Sequence, residues 1–280
     1  MNGFDARYFQ IAFQAVLLTA GVLLRDFSLQ PLQMALALGS ATLTQAFWLR
    51  MFRLSAVGYL SPLITAFGLS LLLRADTLWL HPLVACLAIS GKFLLRIRGK
   101  HVFNPANFGV GVALLALPGA WVSPGQWGND LGLAVWLVAL GALVAQRARR
   151  DDAAWLFLAV FLGLLALRLF YLGHPFGRAW EIFCHQALNG ALLLFAFFMI
   201  SDPITLPDRP WVRRLHVILV AGVAFCWQFL FYRPSGALWA LLCLAPLVPL
   251  WDAIWPGKRH NWRGNRPLQN IAAMQGKIPG

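Results

Sequence analysis

Arg147-Ala148-Arg149-Arg150-Asp151-Asp152 is a charged turn set between two long apolar runs, 129–146 before it and 153–172 after it. The second run, from Ala153-Ala154-Trp155-Leu156-Phe157 to Ala166-Leu167, carries no charge before Arg168. A helix crosses the hydrocarbon core of a bilayer with about 20 mainly apolar residues, and both runs have that length. Working outward in both directions, runs of the same kind lie at 8–24, 31–49, 56–73, 78–95, 104–120, 180–200, 211–231 and 235–254. Pro118 and Gly119 cut the fifth run short, and Pro246 and Pro249 interrupt the tenth. The expected fold is all-α and membrane-integral. Ten transmembrane helices occupy one domain over 1–255, followed by a basic tail over 256–280.

Composition points the same way. Hydrophobic residues make up 60% of the 280 and charged residues 12%, about half the ~25% usual for a soluble domain. One soluble core cannot absorb that much apolar surface, whereas lipid can. The mean hydropathy is +0.67. The 13 Trp suit the membrane interfaces. A net charge of +13 raises nucleic acid as a partner, but Lys and Arg occur in short clusters between apolar runs, which excludes a continuous basic face. The lipid bilayer is the expected partner, with no nucleic acid. Met1 to Arg7 carries Asp5 and lacks a basic leader pattern, so the first run reads as a helix. Cys86, Cys184, Cys226 and Cys243 lie in apolar runs without a Cys-x-x-Cys pair and read as small buried side chains, not metal ligands.

Orientation follows from the basic residues. On the side of the N-terminus fall Arg7, Arg50, Arg53, the Arg96–Lys100 cluster, the Arg147–Arg150 cluster, the Arg209–Arg214 cluster and the tail, seventeen of the 23 Lys and Arg. Five fall on the other side: Arg25, Arg74, Arg168, Arg178 and Arg233. Positive loops face the cytoplasm, so both ends are expected there, in a bacterial inner membrane. Lys92 lies inside the fourth run, near its cytoplasmic end, and is expected to snorkel outward.

A weak internal repeat runs through the chain. Ser61-Pro62 to Asn104-Pro105-Ala106 spans 43 residues, and Asn189-Gly190 to Pro234-Ser235-Gly236 spans 45. The halves divide at about 1–125 and 126–255. Five helices per half force the second half upside down, an arrangement common in transporters.

The polar residues in these runs are the candidate functional groups. Asn104 and Pro105 form a helix start, with Asn as cap and Pro at the first position. Its mate at Ser235-Gly236 starts a helix from the opposite face, so two helix N-termini point inward and suit an anion or an electron-rich ring. Asn104-Pro105-Ala106 occurs once, whereas a water channel pairs two such triplets. Ser201-Asp202-Pro203-Ile204-Thr205 ends the eighth run, with Asp202 placed to bond amides of the next turn. Glu181 and His185 share a helix face and suit an ion or proton path, continued inward by Gln186 and Asn189. His81, before Pro82, reads as interfacial. His185 finds no facing histidine except His81, which argues against haem.

Three blocks carry a family resemblance. Phe103-Asn104-Pro105-Ala106, Asn189-Gly190-Ala191 through Phe197-Phe198-Met199-Ile200-Ser201-Asp202-Pro203-Ile204-Thr205, and Pro234-Ser235-Gly236-Ala237 through Trp251-Asp252 resemble, in order and spacing, the RnfD/NqrB family. These are membrane flavoproteins of the Rnf complex and of the sodium-pumping NADH:quinone oxidoreductase. The resemblance runs from about Gly58 to Asp252 and is nearer to compact UnbU-type relatives. It implies ten helices in two inverted five-helix halves, similar to urea channels. It further implies electron transport coupled to ion movement, with other membrane or redox subunits as partners.

The family carries FMN on a Thr hydroxyl in the connection after the Asn-Pro-Ala helix. Here that connection, Pro118–Asn129, contains Ser123 and no Thr. Covalent FMN is not expected. The cofactor implied is a non-covalent FMN or riboflavin, bound by Asn104, Pro105, Asn107, Asn189, Ser201, Asp202, Thr205, Ser235 and Gly236. The competing readings are a small-solute transporter or channel, and a structural membrane partner of a soluble protein. No catalytic set appears, so the chain does not read as a complete enzyme alone.

Overall fold

A computed structural model describes residues 6–24, 29–54, 58–128 and 130–260. The tail expected over 256–280 is described only to His260, so Arg263, Arg266 and Lys277 lie outside the described residues, as do Asp5 and Arg25.

Among the described residues the chain folds into twelve α-helices and four very short strands. The first part holds α1 (Ala6–Leu24), α2 (Pro31–Met51), α3 (Leu60–Leu72), β1 (Leu73–Ala75), α4 (Leu80–Leu94), β2 (Arg96–Ile97), β3 (Lys100–His101), α5 (Pro105–Ala116) and β4 (Ala120–Val122). The second holds α6 (Leu131–Arg147), α7 (Asp151–Tyr171), α8 (Phe176–Ala187), α9 (Gly190–Leu194), α10 (Pro210–Phe229), α11 (Gly236–Leu244) and α12 (Leu247–Ile254). A π-helical turn, Phe195–Met199, continues α9. The helices α7 and α10 are long and apolar enough to cross a membrane. The pairs α8 with α9 and α11 with α12 reach that length together, each bent by 46°. With each pair taken as one unit, the described residues hold ten helical units. The chain is a helical membrane protein.

Both bends have local causes. Pro246 stands at the break between α11 and α12, as its missing N–H predicts. The break in the eighth run corrects the expectation of one helix over 180–200. The Oδ1 of Asn189 accepts from the amides of Ala191 and Leu192 and starts a new helix. At Gly190 a Cβ would come within 2.7 Å of the Trp127 side chain, so only glycine admits that contact. The helix before the break, α8, has no buried residue.

Hydrogen bonds group the helix ends. The β2–β3 hairpin, the 201–208 turn, the start of α7 and the start of α10 meet at one end, called here the basic end. At the opposite end β1 pairs antiparallel with β4, so the connection after α5 is stitched to the connection after α3. The four strands were not legible as apolar runs, because each is only two or three residues long. Arg74 at this end is 1% exposed, and its guanidinium donates to Gln126 Oε1 and to the carbonyls of Ser70 and Leu73. Burial pulls its pKa down to about 10.

Packing follows one pattern twice. In the first part α1 packs on α3, α2 on α4 and α4 on α5. In the second α6 packs on α9, α7 on α10 and α10 on α11. The parts touch through α1 against α6 and α5 against α11. Glycines permit the closest approaches. A Cβ on Gly236 would lie 2.5 Å from the Ala224 carbonyl oxygen, and one on Gly111 would meet the Leu242 side chain. His81, in the first turn of α4, is fully buried, with Nε2 3.3 Å from the Leu73 carbonyl of β1. Cys86, Cys184 and Cys226 are half-buried and Cys243 is exposed, so none is a fully buried core residue.

Candidate functional site

The sequence places Asn104 directly before Pro105, and the structure uses both as expected. Asn104 Oδ1 accepts the Asn107 amide, and Pro105 opens α5. The other half of the Asn104 amide reaches across the chain, where Nδ2 donates to Asp202 Oδ2 at 3.3 Å. Asp202 Oδ1 accepts the Ile204 amide at 3.0 Å, and the Thr205 hydroxyl donates to the Asp202 carbonyl. The Ser201 hydroxyl donates to the Phe197 carbonyl. One carboxylate thus joins the start of α5 to the turn before α10.

His101 adds a second link. Its Nε2 lies 3.8 Å from Asp202 Oδ2, beyond hydrogen-bonding reach but close enough for charge. That nitrogen is buried and has no hydrogen-bond partner among the described residues. Burial holds the His101 imidazole below the usual histidine range, against the pull of Asp202. Burial works to raise the Asp202 carboxyl, but His101, the Ile204 amide and the Thr205 hydroxyl together hold it below the usual range. The arrangement is an imidazole facing a carboxylate, both shut away from solvent.

A third link is ionic. Lys100 Nζ donates to Asp208 Oδ1 at 3.0 Å, Asp252 Oδ2 at 2.8 Å and the Leu206 carbonyl at 2.9 Å. Asp252 Oδ1 accepts the Asp208 amide at 2.8 Å. All three side chains are close to nine-tenths buried or more. A cleft of about 170 Å³ opens beside them, bordered by Arg98, Val248, Pro249 and Arg259. Nearby, Arg213 clasps Asp152 with two donors, joining α10 to α7.

The remaining candidates fall elsewhere. Asn107 Nδ2 donates to the Leu238 carbonyl of α11 at 3.1 Å, deeper between the two parts. Ser235 takes a left-handed conformation before α11 and makes no side-chain cap. It lies at the far end of α10 from the basic end, away from Asp202. Asn189 caps α9 beside Trp127 and Gly128, also away from Asp202. Glu181 and His185 sit exposed on α8. The structure therefore gathers Asn104, Pro105, Ser201, Asp202 and Thr205, and separates them from Asn189, Ser235, Gly236, Glu181 and His185.

Sequence reading missed His101, Lys100, Asp208, Asp252 and the inward course of Lys92. The signal was available in the acids. Only ten Asp and Glu occur in the chain, so each carboxylate beside a basic cluster in this setting is informative. Lys92 does not snorkel. Its Nζ donates to Gln45 Oε1 at 3.2 Å and Ser61 Oγ at 2.8 Å, inside the bundle. A helical side chain leans toward the helix N-terminus, and the N-terminus of α4 lies at the opposite end, so the arm points inward.

No family model matches the chain. It is 29% identical over 247 residues to the D subunit of the ion-translocating oxidoreductase complex of Pseudomonas paraeruginosa (strain DSM 24068 / PA7), covering 69% of this chain and 72% of that protein. The kinship is distant. It supports, at that distance, the family the three sequence blocks resemble, and it extends over most of both chains.

Proposed function

We propose that this chain is the membrane subunit of an ion-translocating electron-transfer complex. The observation that carries the reading is the buried polar seam His101–Asp202–Asn104, joined by Lys100 with Asp208 and Asp252, where the two parts meet. Buried charge in a membrane protein is costly and marks a path for ions or a fixed contact between moving parts. The relative's role in an ion-translocating oxidoreductase supports the first assignment.

In this reading the ten helical units are ten spans in two inverted five-helix halves. The duplicated packing pattern supports that arrangement, because the contacts between the parts join equivalent elements, α1 with α6 and α5 with α11. The basic end faces the cytoplasm of a bacterium, and the opposite end faces outward. Other membrane or redox subunits are the partners.

A flavin bound through Thr does not fit. The connection after α5 forms β4 and a single 3-10 turn over Pro124–Trp127, with Ser123 in place of any threonine. A non-covalent FMN or riboflavin beside Asn104 and Asp202 has to compete with hydrogen bonds these side chains already make. A bound flavin would supply the electron transfer; this chain would supply position and electrostatics.

The test is purification of the tagged chain from its native membrane under mild detergent. Co-purifying redox proteins and electron-driven ion uptake in vesicles that is lost with Asp202→Asn support the proposal. A chain that purifies alone, and whose deletion leaves redox-driven ion transport intact, overturns it. The visible spectrum of the same preparation decides whether flavin rides on this chain or on its partners.

A further inference from the structure

The packed face of α3 in the first half is polar where the matching segment of the second half, Leu192 to Ile200, is apolar. Two hydrogen bonds set the register of α2 against α4: Thr44 Oγ1 with Cys86 Sγ at 3.2 Å and Trp48 Nε1 with Ser90 Oγ at 2.9 Å. The two helices run parallel with a constant offset, so Gln45 is level with residue 87. Lys92 reaches back to Gln45 across about five residues, on the order of 7 Å along the helix at 1.5 Å per residue.

Lys92 meets a polar stripe on α3. Ser61, Thr65 and Gly68 follow at helical spacing along one face, and the Thr65 hydroxyl donates to the Ser61 carbonyl at 3.1 Å. A Cβ at Gly68 would lie 3.1 Å from Ala106 and 4.0 Å from the Gln14 amide. Gln14, on α1, is 3% exposed, and its Oε1 has no hydrogen-bond partner among the described residues. The matching region of the second half, Leu192 to Ile200, is buried and wholly apolar.

The charges around Lys92 complete the site. The helix α1 contributes Arg7, the end of α4 contributes Arg96, β3 contributes His101, and the 201–205 turn contributes Asp202. Facing α2, α3 and α5 offer neutral groups, with Arg50 exposed at the end of α2. An ammonium has three donors, and here the two acceptors in reach are a neutral amide and a hydroxyl. No carboxylate lies within ion-pair distance of Lys92 among the described residues.

We infer that Lys92 is a proton-carrying group, loaded from the basic end past Asp202 and His101 and facing the Ser61–Thr65–Gln14 stripe. This inference rests on the ion-translocating reading and names its carrier. In the loading step a proton from the basic end forms a bond to the lone pair of the Lys92 amine, and the ammonium is held by Gln45 and Ser61. In the unloading step that N–H bond breaks and the proton passes to a water molecule beside the stripe, forming hydronium, because the hydroxyls and amide of the stripe accept hydrogen bonds but are too weakly basic to take the proton. The group alternates between +1 and neutral, and no electron is exchanged. Asp202 is a positioning residue, because its charge favours the loaded state from outside the stripe.

The chain has four lysines, Lys92, Lys100, Lys258 and Lys277, so side-chain 15N-lysine NMR of the full chain in nanodiscs resolves each. Lys92→Arg identifies the Lys92 resonance. The expected result is a Lys92 Nζ signal that exchanges between ammonium and amine within the pH range over which the fold persists. Its midpoint falls with Asp202→Asn, and Gln45→Leu shifts it as well, which covers the case in which Asp202→Asn fails to fold. A Lys92 signal fixed at the ammonium position over that range overturns the inference, as does a midpoint indifferent to both variants. Neither measurement depends on partner subunits or flavin, so failure here leaves the electron-transfer reading to its own test.

Discussion

Lys100, on a two-residue strand, bonds the Asp252 carboxylate 152 positions later at 2.8 Å, and the same ammonium holds Asp208 at 3.0 Å. The hairpin that precedes α5 is thereby fastened to the segment that precedes α10 and to the last described helix. Removing the ammonium leaves two carboxylates buried side by side. Lys100→Ala is expected to cost about 3–5 kcal/mol, the scale for breaking a buried ion pair. Thermal unfolding in detergent reads it, with Lys100→Arg as a partial rescue.

Acid should loosen the basic end in two stages. Asp202 has a depressed pKa in the fold, so it contributes stability above the ordinary carboxylate range, and that contribution is lost as pH falls through the folded value. His101 is also depressed, by burial, so the unfolded chain takes up a proton first and stability declines as pH falls below about 6.5. His260, held to about 4 by burial and by Arg150, adds in the same direction. Denaturation midpoints measured against pH should show His101→Gln flattening the upper part of this decline and Asp202→Asn the lower part.

Gly236→Ala and Gly111→Ala should differ. The first pushes a methyl against the Ala224 backbone carbonyl, which cannot move aside, while the second meets the flexible end of Leu242. Overpacking costs typically about 1–3 kcal/mol. The loss should be concentrated at Gly236, read as a lower melting temperature and reduced yield of folded protein.

Asn104→Ala removes a helix cap worth about 1 kcal/mol together with the bond to Asp202. Asn104→Asp preserves the cap but sets a carboxylate against Asp202. It should be the more destabilising of the two at neutral pH, and the difference should shrink in acid. Melting curves at two pH values check this.

Orientation can be tested with two exposed arginines. Arg178→Cys, on α8, and Arg214→Cys, on α10, in a chain without its native cysteines, should label from opposite sides with an impermeant thiol reagent. Labelling of both from the same side would remove the ten-span arrangement and with it the outward direction of the proposed proton path.

Much of the local architecture was legible. Asn104-Pro105 announced a helix start, Pro118-Gly119 an early stop and Pro246 a bend, because capping and proline chemistry act within a turn. The Asn189-Gly190 break carried a similar signal and was overrun by the apolar reading around it. Lys92 was misread because hydropathy locates a residue along a helix and not the direction of its side chain.

By itself the sequence determined that this chain lives in lipid, how its apolar runs are spaced and where its positive charge collects. Those properties depend on composition and on neighbours within a few residues. Only the tertiary structure decided which polar groups meet: Asn104 with Asp202, Lys100 with Asp208 and Asp252, Lys92 with Gln45 and Ser61. These partners lie 31 to 152 positions apart. No local preference selects them, and they are chosen by the packing that brings distant helices together.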